Sequence, residues 1–187
     1  VVFVRDNYAA QIVSRIVTRE DFRSLSSIVS AISPFGLSTA FRGEETADRI
    51  SNPIIVRSTA GRQFANRDVV SKNLELLDQW KVLLSATASE HAGQAAKDGK
   101  KRVFSRIETA EPGVAMTHSY LAIGPLSDSD QCKNLEGYLR TKFVRFLASL
   151  GIITQHISKA SFAFVPTQDF SRPWGDKELY KAYGLTP

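Results

Sequence analysis

Apolar positions recur along this chain with two different periods. Tyr8, Ile12, Val13 and Ile16 return at helical spacing, so the first stretch presents one apolar face. Residues 19–32 read as a second helix, closed by the Ser33-Pro34 break and the Phe35-Gly36 turn. The middle then changes character. Short β-branched or apolar runs at 53–57, 81–85, 103–107 and 116–123 are bounded by Gly, Pro, Ser and Asn and read as strands, with a further short strand at 1–5. Between them, 87–101 is small and polar without an apolar period, the pattern of an exposed loop. Ser and Asp at 127–130 offer N-caps for a helix that runs to Gly151, with Leu135, Leu139, Phe143, Phe146, Leu147 and Leu150 forming its apolar stripe. A last strand is expected at 161–165, and a last helix at 176–183 ends at Gly184. Helices flanking several strands without regular alternation predict a mixed α/β (α+β) domain: a central mixed sheet with flanking helices, strand order open.

With 187 residues, 43% of them hydrophobic and 23% charged, the chain has the size and composition of one globular domain spanning 1–187. No apolar run is long enough to span a bilayer, and the opening VVFVRDNYAA lacks a signal-peptide pattern, so a cytoplasmic protein with no membrane partner is expected. A lone cysteine, Cys132, falls on the apolar side of its helix and reads as core; His91, His118 and His156 lack metal-ligand spacing. The chain starts without methionine and stops just after its last helix, and is read as a C-terminal piece of something longer.

Charge adds a direction. The net charge is +5, which favours polyanionic partners. No Asp or Glu occurs between Gly137 and Gln168, although helix surfaces ordinarily mix both signs. With Leu139 and Phe143 inward, Tyr138, Thr141, Lys142, Arg145 and Ser149 lie on the opposite face, followed by Thr154, Gln155, His156, Ser158 and Lys159; Phe143, Phe146, Phe162 and Phe164 read as core. A second acid-free stretch, 49–67, carries Arg57, Arg62 and Arg67 among Asn, Gln, Ser and Thr, residue types suited to base edges. A third cluster, Lys100, Lys101 and Arg102 with Arg106, follows the polar loop and suits phosphate contacts. Each cluster alone also reads as a solvated surface; together they make nucleic acid the leading partner class.

Catalytic motifs are missing. There is no GxxxxGK[ST], no GxGxxG after a strand and no GxSxG. Ser51-Asn-Pro-Ile54 lacks the second proline and the aromatic ring of an adenine-holding motif. Asp98-Gly-Lys100 matches the end of a metal-dependent nuclease motif but has no hydrophobic strand to hold it. No catalytic, metal or cofactor residue is assigned.

From residue 141 onward, TKFVRFLASLGIITQHISKASFAFVPTQDFSRPWGDKELYKAYGLT resembles the C-terminal region of bacterial type II-like restriction-modification proteins with an adenine-specific DNA methyltransferase domain. SPFGL at 33–37, DQWKV at 78–82 and EPG at 111–113 resemble earlier landmarks of that family, in the same order. The specific part is Lys142-Phe-x-Arg-Phe146, Thr154-Gln155 and the run from Phe164-x-Pro166 to Tyr183-Gly-Leu185. The resemblance implies a target-recognition region that grips double-stranded DNA, with S-adenosylmethionine and the catalytic motif in an N-terminal methyltransferase domain outside this chain. Two other expectations stay open: a nuclease using Asp98 and Lys100, and an interaction module docking on the catalytic half.

Overall fold

The computed structural model describes residues 7–88, 102–152 and 154–186. The strand expected at 1–5, most of the 87–101 loop, and Asp98, Lys100 and Lys101 lie outside the described residues. The mixed α/β class holds, with the strands divided between two three-stranded sheets instead of one central sheet. In chain order the elements are α1 (Asn7–Val17), β1 (Pro53–Ser58), β2 (Gly61–Asn66), α2 (Leu74–Leu77), β3 (Trp80–Ser85), β4 (Ile107–Ala110), β5 (Val114–Met116), β6 (Tyr120–Leu126), α3 (Ser129–Leu139), α4 (Lys142–Leu150) and α5 (Asp176–Tyr183).

One sheet has the order β4-β3-β6, all antiparallel; the other has the order β2-β1-β5, with β1 and β5 parallel. Alternation along the strands explains the layering. Val82, Leu84, Ile107, Leu121 and Ile123 point to the core beneath α3 and α4, while Leu83, Ala110, Tyr120 and Ala122 point to the core shared with Ile54, Val56 and β5. The β4-β3-β6 sheet is therefore a middle layer buried on both faces, which is why β3 reads as a continuous apolar run.

Several expectations are corrected. Residues 19–32 do not form an α-helix: a 3-10 turn at Leu25–Ile28 is flanked by extended bridges from Ser24 to Pro166 and Val29 to Ile123. Serine chemistry and a free sheet edge outcompete the helix. The Ser24 side chain accepts from the Ser26 amide, and the Ser30 amide donates to Ala122 O at 2.8 Å along the open side of β6. The strand expected at 103–107 begins only at Ile107, since Val103 has a φ of 65° and Phe104 makes a single bridge to Ala88. The run 116–123 is two strands, β5 and β6, in different sheets, joined by a turn in which the Tyr120 amide donates to Thr117 O. β2 was not foreseen; Arg62, Gln63 and Asn66 carry little strand propensity, and the pairing with β1 supplies its order. The expected last strand at 161–165 is a 3-10 turn at Lys159–Phe162 followed by further turns.

The long helix ending at Gly151 is two. α3 stops at Leu139, and Thr141, with φ −64° and ψ 152°, starts α4 as its N-cap. Tyr138 and Thr141, expected on the solvent face, are buried, and Phe146, expected in the core, is 37% exposed. Phe143 and Phe162 are core as expected, Phe164 is half-buried, and Cys132 is buried, its thiol pushed up to about 11 first by that burial and then by Glu136 and Asp128.

Candidate nucleic-acid interface

α4 owes its register to two caps. Thr141 Oγ1 accepts from the Val144 amide at 3.2 Å, and the Asp176 carboxylate, reaching across from the first turn of α5, accepts from the Lys142 and Phe143 amides at 3.1 and 2.9 Å. The amides that begin the helix are thereby satisfied. Phe143, Val144, Leu147 and Ala148 fill the core, with Phe143 stacked on Tyr183 at 5.2 Å and edge-on to Tyr180 at 6.5 Å. That leaves Lys142, Arg145, Phe146 and Ser149 looking outward, across to α1.

Three adjoining clefts run along this face. One, of about 500 Å³, lies between Tyr8 and Ile12 of α1 and Lys142, Arg145, Phe146 and Ser149 of α4. A second, of about 550 Å³, shares Tyr8, Ile12, Lys142 and Phe146 and continues past Arg15 to Tyr180 and Leu185. A third, of about 200 Å³, joins Arg145 to Arg102 and Arg140 around Leu139 and Ser105. Arg15, Lys142, Arg145, Arg102 and Arg140 thus form a chain of cations, and among the described residues no Asp or Glu lines any of the three clefts. Of the acids outside the clefts, Asp176 caps α4, and Glu136 pairs with one member of the chain, Arg140, at 3.3 Å. Arg145 Nε donates to Thr141 O at 3.3 Å, and Arg15 Nη1 to Gly184 O at 3.0 Å, so both guanidiniums are held against backbone. Burial, then the Asp176 charge, raises the Tyr180 phenol above its ordinary value, with Arg145 opposing.

The sequence-derived residues do not all meet here. Lys142, Arg145 and Arg102 do. Arg57 pairs with Glu108, which also takes Arg106 at 3.2 Å, and Arg67 grips Asp78 with two bonds at 2.7 and 2.5 Å, raising its own pKa and lowering that of the aspartate. Arg62 faces Arg57 across the hairpin, stacked over Phe64 at 5.3 Å, beside a slot of about 170 Å³ between the sheets. The second cluster is therefore largely neutralised by acids distant in sequence. Thr154, Gln155 and His156 are exposed just beyond α4, in a segment that extends β3: the Ala88 amide donates to Gln155 O at 2.9 Å and the Ile157 amide to Ala86 O at 2.8 Å. Ser158 is half-buried and begins the 3-10 turn, its amide donating to Ser161 Oγ at 3.1 Å. Lys159 lines a different cleft, of about 850 Å³, with Lys72, Asn73 and Pro125, sharing no residue with the α4 clefts. Lys100 and Lys101 lie outside the described residues.

Tyr8, Arg15, Arg140 and Phe146 join the site without having been chosen from sequence. Arg140 had a signal, standing inside the acid-free stretch; Tyr8 and Phe146 matched apolar helix stripes, and only their exposure of 79% and 37% sets them apart. Among the described residues no group of three His, Cys, Asp or Glu side chains is placed to hold a metal, and no helix is long and apolar enough to cross a membrane. Compared with known proteins, the chain matches no family model and no curated sequence.

Proposed function

We propose that this chain is a duplex-DNA recognition module, the target-recognition part of an adenine-specific DNA methyltransferase of a restriction-modification system, acting in the cytoplasm and meeting DNA through the outward face of α4. The observation that carries the reading is the run of five cations through three adjoining clefts whose described lining holds no acid. A polyanion laid along it releases counterions at each cation it meets, and none of the described residues lining the clefts repels it. The resemblance of residues 141–185 to the recognition region of such enzymes supports the same reading. On this reading the methyltransferase domain and its S-adenosylmethionine lie outside this chain, and no residue here takes a catalytic role.

The test is fluorescence anisotropy of the chain with a labelled random-sequence duplex over a series of salt concentrations. Log affinity is expected to fall linearly with log salt, and the Lys142→Ala, Arg145→Ala double variant to bind more weakly with a slope reduced by about 2, one per lost phosphate contact. Affinity that ignores salt, or absent binding at low salt, would remove the proposal and leave the clefts to a protein partner.

A further inference from the structure

Tyr8 is a large aromatic side chain left 79% exposed at the mouth of two clefts that it shares with Phe146, itself 37% exposed. Among the described Phe, Tyr and Trp side chains these are the only exposed ones, and both clefts hold them. Beside them stand cations, Lys142 on α4 and Arg15 on α1, and an amide, Gln11, able to donate and accept at once. The volume, about 550 Å³, falls within the range of about 300 to 1,000 Å³ typical of small-ligand sites. Because the α4 N-terminal amides are already taken by Asp176, an anion here would sit on the side chains.

We propose that this cleft receives one unstacked nucleotide of a nucleic-acid strand, the base against the rings of Tyr8 and Phe146 and the phosphate on Lys142 and Arg15. Exposed rings beside cations are what a flat base with an attached negative charge requires, since every base offers a π-face and stacking tolerates any sequence. A purely apolar peptide would bring no negative charge to the two cations, and a fully paired duplex has no free base to offer the rings. The inference rests on the DNA reading and narrows it: the paired part of the DNA meets the α4 cations, and this cleft takes a nucleotide that has left the stack.

The test compares three labelled duplexes at moderate salt by anisotropy: fully paired, carrying a one-nucleotide bulge, and carrying the same bulge without its base. The bulged duplex is expected to bind about tenfold more tightly than the other two, in keeping with the worth of one aromatic stack. Tyr8→Ala and Phe146→Ala should each erase that preference, so that bulged and fully paired duplexes bind alike, and Tyr8→Phe should retain it. Circular dichroism melting confirms that these exposed positions leave the fold intact. Equal affinity for paired and bulged duplexes, or an equally tight baseless bulge, overturns this inference and leaves the DNA reading standing. No salt-sensitive binding to any duplex overturns both. Displacement of the bulged duplex by micromolar dAMP would instead assign the cleft to a free nucleotide.

Discussion

Lys81 stands on β3 with no exposed surface, its Nζ donating to the carbonyls of Leu77, Gln79 and Glu111 at 3.2, 2.9 and 3.3 Å and facing the Phe35 ring at 5.8 Å. It ties the end of α2 to the turn between β4 and β5. Burial is the main cause that brings its pKa down to about 8, with nearby negative groups opposing. The folded chain therefore releases this proton before the unfolded chain does, and the group's contribution to stability rises as pH climbs from about 8 to 10.5. Urea unfolding of the wild type and of Lys81→Met should show their stability difference shifting in favour of the wild type by roughly 3 kcal/mol between pH 7 and 10.5; parallel profiles would refute the lowered pKa. Tyr138 is a second buried polar group, its hydroxyl donating to Pro166 O at 2.6 Å. Tyr138→Phe should cost about 1 to 2 kcal/mol by removing that donor, read from the shift in unfolding midpoint. Neither role was legible. Periodicity placed Tyr138 on the solvent face because it assumed one uninterrupted helix.

At the scale of the element, α4 shows how little separates a break from a continuation. The apolar stripe passes from Leu135 and Leu139 to Phe143 and Leu147 as though unbroken, and only Thr141 signals a new N-terminus. Thr141→Ala and Asp176→Ala should each lower stability by about 1 kcal/mol, and the pair should cost more than either alone, because they cap different amides of one helix. Gly151 closes the helix as expected, but for another reason. Its φ of −93° is ordinary, whereas an added Cβ would lie 2.9 Å from Ser161 Cα and 3.0 Å from Ser161 O. Gly151→Ala should therefore destabilise by about 1 to 3 kcal/mol through forced displacement of the 159–162 turn, and a melting temperature equal to wild type would contradict that contact. The stop was legible, the close approach was not, since it depends on chain returning from further along.

For the molecule as a whole, the question was which basic residues share a surface. Composition marked three clusters, and the fold keeps Lys142, Arg145 and Arg102 together, adds Arg15 and the Glu136-paired Arg140, pairs Arg57 and Arg67 with carboxylates away from that face, and sends Lys159 to another cleft. Arg67→Ala should accordingly leave duplex affinity unchanged, because Asp78 already holds that guanidinium, whereas Arg102→Ala should weaken binding and flatten its salt dependence; the reverse ranking would redraw the interface. By itself the sequence determined what local physics decides: the periods that make α1, β1, β3, the last helix and the mixed class, the burial of Cys132, and the lack of acids over 137–168. Only the tertiary structure decided the division into two sheets, the straightening of 19–32 along an open strand edge, and which cations found carboxylates. Those outcomes depend on partners tens of residues away, such as Glu108 for Arg57 and Asp176 for the start of α4, and no window of neighbouring residues contains both halves of such a pair.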